Sequence, residues 1–186
     1  MLNHVPIDSP SPWVKRFART IPHGGLVLDL ACGAGRHSSF LVSLGYSVLA
    51  VDQDISAVKN LQNPNIDAFE FDLEASEWPL DGRTFSGIVV TNYLYRPFLD
   101  RLPKMLLENG VLIYETFALG NERFGKPSNP NFLLREGELL DLAEQFSLKV
   151  HAYEDIYVDQ PKPARIQRIC AVKGHLNQDI PLQFDS

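Results

Sequence analysis

Five apolar runs, separated for the most part by segments of helical length, restrict this chain to a small set of folds. The runs are LVLDLA, YSVLAVD, DAFEFD, FSGIVVTN and GVLIYETF, and the segments of helical length are RHSSFLVSLGY, ISAVKNLQN and RPFLDRLPKMLLEN. The runs are rich in β-branched and aromatic residues and mostly lack strict alternation, which is typical of strands buried on both faces. Strands that alternate with helices predict an α/β fold with a parallel sheet.

The segments on either side of these runs predict how the sheet begins and ends. Trp13, Val14 and Phe17 lie at helical spacing before the stop signal IPHGG, so we expect a short helix before the first strand. After a helix in REGELLDLAEQF, the runs LKVHAYEDIYV and ARIQRICAVKG predict two strands joined by DQPKP. This hairpin would complete a sheet of about seven strands, mostly parallel, with the last strand antiparallel.

Length and composition fit a single domain, because 186 residues with 45% apolar side chains can build one core. We expect a helix and turn at 11–25, the core at 26–174 and a loose tail at 175–186. Residues 118–134 are rich in Gly, Pro and Asn. A connection of that length is uncommon unless it is functional, so we predict a lid over an acceptor pocket.

Charge, hydropathy and cysteine content disfavour several classes of protein. The net charge of -6 disfavours a nucleic-acid partner, since such surfaces neutralise many phosphates. The chain has no basic segment followed by an apolar stretch at its start and no run of eighteen apolar residues, so we expect a cytoplasmic protein without a membrane segment. Its two cysteines, Cys32 and Cys170, predict neither a disulfide framework nor a metal site.

A turn with two glycines follows the first predicted strand, in VLDLACGAGRH. Parallel sheets bind ligands at the carboxyl ends of their strands, near the point where the strand order reverses. Gly33 and Gly35 lie at such an end, where glycine lets the backbone approach a ligand and the next helix offers free amides. Taken alone, the two glycines fit a simple strand-to-helix turn equally well.

Two carboxylates at the ends of later strands strengthen the prediction of a ligand site. Asp52 ends the second strand about twenty residues after the glycines, the spacing at which a carboxylate binds both ribose hydroxyls. Asp72 ends the third strand and can accept a hydrogen bond from the exocyclic amine of adenine. We therefore expect an adenosine group to span three strand ends.

Two classes of adenosine cofactor fit this pattern, the nicotinamide dinucleotides and S-adenosylmethionine. A pyrophosphate is disfavoured beside Asp29, and dinucleotide sites have a third glycine where this chain has Ser38. The ammonium group of a methionyl moiety is favoured near a carboxylate. The residues therefore favour S-adenosylmethionine, with a nicotinamide-dependent oxidoreductase as the alternative.

The motifs LDLACGAG, Asp52 and Asp72 resemble the first three motifs of the class I S-adenosylmethionine-dependent methyltransferases, over residues 11–174 or so. The chain is most similar to the small methyltransferases of the tellurite-resistance type, in ACGAGRHS, LGYSVLAVDQD, FDLE and REGEL. This resemblance implies a Rossmann-like, doubly wound sheet and methyl transfer to a small-molecule or oxyanion-like acceptor. The chain lacks the Asp/Asn/Ser-Pro-Pro-Tyr/Phe motif, which disfavours nucleic-acid bases and glutamine as acceptors.

The resemblance also implies a set of cofactor-binding residues at four strand ends. They are Asp29, Ala31, Gly33 and Gly35 at the first strand, Asp52 and Gln53 at the second, Asp72 and Leu73 at the third, and Thr91 and Asn92 at the fourth. The first group would hold the methionyl end, the second the ribose and the third the adenine. The fourth would line the pocket beside the methyl acceptor.

Four residues near the expected pocket are candidates for catalysis: His37, Tyr93, Tyr95 and Glu115. His37 could contact the acceptor or be a hydrogen-bonded helix residue. The two tyrosines could form an aromatic wall or simply cover the edge of the core. Glu115 interrupts an apolar run, so it faces either the pocket or a nearby arginine.

A different kind of function also fits the sequence. The same fold could serve as a non-catalytic module that binds an adenosyl group and presents its long loop to another protein. The intact motif residues disfavour this alternative. An enzyme acting on RNA or protein would be expected to carry an added domain or a basic stripe, and neither is evident in the sequence.

Overall fold

The computed structural model describes residues 9–74 and 78–175, in which seven strands form one sheet. The strands are β1 (Leu26–Leu30), β2 (Ser47–Asp52), β3 (Ile66–Glu70), β4 (Phe85–Thr91), β5 (Leu106–Phe117), β6 (Leu148–Val158) and β7 (Ala164–Lys173). The helices are α1 (Pro12–Phe17), α2 (Arg36–Ser43), α3 (Ser56–Asn60), α4 (Arg96–Leu99), α5 (Arg101–Lys104) and α6 (Glu138–Gln145). None of these helices is long and apolar enough to span a membrane. The predicted tail lies outside the described residues from 176 onward.

The sheet has the order β3-β2-β1-β4-β5-β7-β6. The first five strands in this order, β3, β2, β1, β4 and β5, each pair in parallel with the next. Strand β7 is antiparallel to both of its neighbours, β5 and β6. The predicted α/β fold, with a mostly parallel sheet of about seven strands and an antiparallel last strand, is therefore confirmed. The predicted hairpin is also present, and its second strand lies inside the sheet while β6 forms the edge.

Apolar side chains cover both faces of the sheet, which explains why its central strands lack alternation. Every residue of β4 is buried. One face packs against α1 and α2 through Trp13, Phe17, Leu41, Val27, Val89 and Ile113. The other face packs against α5 and α6 through Leu28, Ile88, Leu112, Leu102, Leu139 and Leu142. A layer of helices on each face leaves the strand ends as the place where backbone can meet a ligand.

The strand order reverses between β1 and β4. From β1 the chain proceeds to β2 and β3 on one side, and then returns to β4 on the other side of β1. The connections that leave the carboxyl ends of β1 and β4 therefore diverge. In open α/β sheets a crevice forms at such a point, and ligands bind there.

The predicted helix in RPFLDRLPKMLLEN (residues 96–109) is wrong in its second half. The structure has two single turns, α4 and α5, and β5 already begins at Leu106, which pairs with Phe85. Pro103 lies within α5 and has no amide hydrogen to bond to the preceding turn, so a long helix is disfavoured here. Burial of Leu106 beside β4 instead extends the sheet.

The loop at 118–134 is attached at both ends. Ala118 and Leu134 form a parallel bridge, and the Leu119 amide donates to the Leu134 carbonyl at 2.9 Å. The buried Asn121 side chain donates to the Pro127 carbonyl at 2.9 Å. The loop is thus a compact unit beside the carboxyl end of β5.

Candidate functional site

The turn after β1 takes left-handed backbone conformations at three positions. Ala31, Gly33 and Gly35 have φ values of 56°, 53° and 80°. Gly35 is also confined, because an added Cβ would lie 3.0 Å from Val58 Cγ2. At the end of β4, Asn92 has a φ of 55°. Left-handed residues other than glycine cost about 1 kcal/mol or more, and such strain tends to occur at ligand sites.

Asp52 holds the glycine turn in place. Its Oδ2 accepts a hydrogen bond from the Gly33 amide at 2.8 Å, and its Oδ1 accepts one from the Asp54 amide at 3.1 Å. The turn after β1 and the end of β2 are thereby joined. Gln53, the next residue, is exposed at the same strand end.

Asp29 is a buried carboxylate near the end of β1, with 1% of its surface exposed. Its Oδ2 accepts a hydrogen bond from Ser38 Oγ at 2.5 Å. Burial raises the pKa of Asp29 to about 6, although the bond from Ser38 opposes this rise. A nearby cation would favour its charged form.

The segment after β3 places Asp72 at the surface and Leu73 in the core. Asp72 Oδ1 accepts a hydrogen bond from the Glu74 amide at 2.9 Å, which closes a short turn. The Phe71 amide donates to the Asp52 carbonyl at 2.9 Å, so the ends of β2 and β3 remain adjacent. The two predicted adenine residues therefore lie beside the predicted ribose residue.

Aromatic side chains line a pocket beside the ends of β1 and β4. Its lining residues are Leu30, Trp78, Tyr93, Tyr95, Phe98, Leu99, Leu102 and Tyr114. Tyr114 donates its hydroxyl to the Tyr93 carbonyl at 2.7 Å, and Tyr95 donates to the Glu74 carbonyl at 3.2 Å. Burial raises the pKa of Tyr93, and nearby carboxylates, Glu74 first, raise it further. Its hydroxyl therefore stays protonated at neutral pH.

His37 is buried, and both of its ring nitrogens have a neighbour. The Ser11 amide donates to Nε2 at 3.1 Å, and Nδ1 lies 3.4 Å from Thr91 Oγ1. Burial lowers the pKa of His37 to about 3, and the charge of Arg36 lowers it further. The ring is therefore neutral, and it connects the start of α1 to the end of β4.

Glu115 belongs to a network of ion pairs. Its Oε1 accepts a hydrogen bond from Ser11 Oγ at 2.7 Å, and its Oε2 pairs with Arg168 at 3.2 Å. Arg168 also pairs with Glu154, and its guanidinium carbon lies 4.6 Å from the centre of the Trp13 ring. Of the two roles considered for Glu115, the structure shows the salt bridge to an arginine.

The structure brings together the predicted residues at the ends of β1, β2, β3 and β4. It connects His37 and Glu115 through Ser11, a residue that the sequence did not single out. Ser11 precedes Pro12 at the start of α1, so its type indicated a helix cap but not these two bonds. Arg168 was missed as well, although a charge within the apolar run of β7 is unusual.

The sheet order, the glycine turn after β1 and the carboxylates at the ends of β1 and β2 define a class of fold, that of the class I S-adenosylmethionine-dependent methyltransferases. The tellurite resistance protein TehB family matches residues 13–86, which include the turn, Asp52 and Asp72. YqeM of Bacillus subtilis, whose name assigns it provisionally to the methyltransferases, is 36% identical over 52 residues, which are 28% of this chain and 20% of YqeM.

Solved structures show the same fold. TehB from Haemophilus influenzae has a TM-score of 0.68 at 21% identity, covering 84% of this chain and 60% of TehB. The 1,6-didemethyltoxoflavin-N1-methyltransferase from Burkholderia thailandensis, solved with its namesake compound and S-adenosylhomocysteine, has a TM-score of 0.64 at 17% identity, covering 88% of this chain and 76% of that enzyme. The expected similarity to class I methyltransferases of the tellurite-resistance type is confirmed.

Proposed function

We propose that this protein is an S-adenosylmethionine-dependent methyltransferase that acts on a small-molecule or oxyanion-like acceptor. The observation that carries the proposal is the cluster of Asp29, the glycine turn and Asp52 at the point where the strand order reverses. The match to the TehB family and the likeness to methyltransferase structures support it.

The residues present fit the parts of this cofactor. Asp52 accepts two amides, and a carboxylate has about four lone-pair positions, so two remain for the ribose hydroxyls. The charged form of Asp29 suits an ammonium group at the end of β1. Asp72 and the Leu73 backbone lie where they can bind adenine, while Ala31, Gln53 and Asn92 complete the proposed site.

When bound, S-adenosylmethionine supplies a methyl group on a positively charged sulfur, and an in-line displacement moves this methyl to the acceptor. The protein has to orient the two partners and exclude water. We assign the aromatic wall of Tyr93 and Tyr95 and the loop at 118–134 to enclosing the acceptor. Thr91, at the end of β4, would contact the cofactor.

The states of the four candidate catalytic residues favour an acceptor that needs no general base. His37 has its Nε2 bonded and its pKa lowered to about 3, and Glu115 is ion-paired. Tyr93 has a raised pKa, and the Tyr95 hydroxyl donates to a carbonyl. A group that is anionic or soft at neutral pH can be methylated without losing a proton to the protein. We therefore assign positioning roles to His37 and Glu115.

The likeness to the Burkholderia enzyme, which was solved with bound 1,6-didemethyltoxoflavin, supports a small-molecule acceptor. The net charge of -6 is consistent with a small-molecule acceptor and disfavours a polyanion such as RNA. Among the described residues, no group of three or more His, Cys, Asp and Glu side chains is arranged to bind a metal ion.

Calorimetric titration with S-adenosylmethionine, S-adenosylhomocysteine and NAD tests the cofactor assignment. We expect the first two to bind and NAD to give no heat. Binding of NAD alone would identify an oxidoreductase and overturn the proposal. Binding of the sulfur nucleosides without turnover on a panel of anionic and soft acceptors would instead favour the non-catalytic module.

A further inference from the structure

The hydrogen bond between Ser11 and His37 fixes which ring nitrogen carries the proton. A backbone amide can only donate, and the Ser11 amide lies 3.1 Å from Nε2, so Nε2 must be the acceptor. A neutral ring then has its hydrogen on Nδ1. Because His37 is 2% exposed, solvent does not compete for either nitrogen.

The same proton position determines the direction of the next hydrogen bond. Nδ1 lies 3.4 Å from Thr91 Oγ1, and with its hydrogen in place Nδ1 must donate to that oxygen. The hydroxyl hydrogen of Thr91 then points away from His37 and is available to another acceptor. Thr91 is the last residue of β4, 8% exposed, at the crevice where the strand order reverses.

Ser11, whose amide donates the first of these hydrogen bonds, is held in place by two bonds of its side chain. Ser11 Oγ donates to Glu115 Oε1 at 2.7 Å and accepts from the Trp13 amide at 3.1 Å. Arg168 in turn holds Glu115 from β7. The start of α1 is therefore attached to β5 and β7, and its amide has one direction in which to donate.

We propose that Ser11, His37 and Thr91 form a chain of hydrogen bonds, here called the relay, in which each residue donates to the next. The relay leaves the Thr91 hydroxyl as a donor to a carboxylate oxygen of the bound cofactor's methionyl group. This inference rests on the proposed function, because it takes the ligand at β4 to be an S-adenosyl amino acid. Ser11 and His37 are positioning residues that act through Thr91. The relay requires a carboxylate, since the ammonium group of the same moiety has no lone pair to accept a hydrogen bond.

The protonated nitrogen can be observed without any ligand. In a long-range proton–nitrogen correlation spectrum of the labelled protein, we expect His37 to show a hydrogen on Nδ1 and none on Nε2. Ser11→Pro and Ser11→Ala form a matched pair, because both remove the hydroxyl but only proline removes the amide hydrogen. The φ of Ser11 is -54°, which proline can adopt. We expect Ser11→Ala to keep the Nδ1 form and Ser11→Pro to lose it. A hydrogen on Nε2 in the wild-type protein would overturn the relay.

Ligand binding tests the proposed hydrogen bond from the Thr91 hydroxyl to the carboxylate of the cofactor. We expect Thr91→Val to weaken S-adenosylhomocysteine about tenfold, since a hydrogen bond to a charged group is lost, and Thr91→Ser to restore affinity. Methylthioadenosine has no amino-acid group, so Thr91→Val should leave its affinity unchanged. Equal losses for both nucleosides would indicate a merely structural role and overturn the assignment to the carboxylate.

The two proposals fail in different ways. If the wild-type protein binds neither nucleoside, the proposed function is wrong, and the role of Thr91 toward a carboxylate fails with it. If both nucleosides bind and Thr91→Val has no effect on S-adenosylhomocysteine, the cofactor assignment stands and the relay alone is wrong.

Discussion

Asp29 is buried, although its proposed role beside an ammonium group requires a charge. Its pKa is raised to about 6 from 3.8, chiefly by burial. Between these values the folded protein binds more protons than the unfolded chain, so the free energy of unfolding falls as the pH rises through this window. Above about pH 6 the contribution of Asp29 no longer changes with pH. A cationic ligand group would offset the cost of ionising this side chain.

Replacement of Asp29 by Asn should remove this pH dependence. We expect the difference in unfolding free energy between Asp29→Asn and wild type to shift by about 2 kcal/mol in favour of the variant from pH 4 to pH 7. Urea denaturation at several pH values measures this difference. Asp67→Asn, on the exposed side of β3, is the control and should follow the wild type. A constant difference between Asp29→Asn and wild type would show that Asp29 is ionised without cost.

Asp52 should contribute directly to cofactor affinity. We expect Asp52→Ala to weaken S-adenosylhomocysteine by about 1–3 kcal/mol, because the ribose hydroxyls and the Gly33 amide lose an acceptor. Asp54→Ala is the matched control, since Asp54 is an exposed neighbour that caps the Ser56 amide instead. Calorimetric titration compares the two variants. Unchanged affinity in Asp52→Ala would show that the ribose is bound elsewhere.

Sequence patterns predict where a residue lies in the sheet better than they predict its hydrogen-bond partners. The strand ends and the spacing of the glycines placed Asp29, Asp52 and Asp72 at one edge of the sheet, because parallel strands end together. The partners of His37 and Glu115 could not be predicted in this way. Ser11 is 26 residues from His37 and 104 from Glu115, so both bonds depend on how α1 docks onto the sheet.

At the level of elements, Arg96 joins α4 to the end of the long loop and to α6. Its guanidinium pairs with Glu138 at 2.7 Å and donates to the carbonyls of Asn131 at 2.8 Å and Leu133 at 2.6 Å. A planar group with five donors can make such a fork, which a lysine cannot. Arg96 therefore adds a link between the end of the loop proposed to cover the acceptor and α4, whose Phe98 and Leu99 line the pocket.

Removal of this fork should loosen the loop and leave the cofactor site intact. We expect Arg96→Ala to speed hydrogen exchange of the amides at 119–134 by about tenfold or more, because local opening becomes easier. Affinity for S-adenosylhomocysteine should stay within about twofold. Arg101→Ala removes a more exposed arginine that pairs with Asp81, and it should leave exchange in the loop unchanged. Loss of cofactor affinity in a folded Arg96→Ala protein would contradict an acceptor-side role for the loop.

The elements also show where periodicity is informative. The five apolar runs each form a strand. Burial on both faces explains this for the central strands, whereas β3 is an edge strand whose residues are half-buried or exposed, contrary to the expectation of burial on both faces. The segment at 96–109 was misread because its leucines suit a buried helix and a buried strand equally. Pro103 and the pairing of Leu106 with Phe85 decide between them, and only the proline is visible in the sequence.

For the whole molecule, α1 is the element that joins the sheet to the site. Trp13 is 2% exposed, donates Nε1–H to the Ile169 carbonyl at 3.1 Å and stacks against Arg168. Its neighbour Ser11 starts the relay to Thr91. We therefore expect α1 and the strand ends to fold in one cooperative transition, and we expect the site not to form while α1 is detached.

The two tryptophans of the chain provide a test of this coupling. Trp13→Phe keeps an aromatic ring and loses the buried bond to Ile169, so we expect a loss of about 1–3 kcal/mol in the free energy of unfolding, with an unchanged urea dependence. Trp78→Phe is the matched control, because the buried Trp78 Nε1 has no hydrogen-bond partner within residues 9–74 and 78–175. It should cost clearly less. Urea denaturation followed by circular dichroism measures both variants. A second transition in Trp13→Phe would mean that α1 folds independently of the sheet, and equal losses in the two variants would mean that the bond from Trp13 to Ile169 does not stabilise the fold.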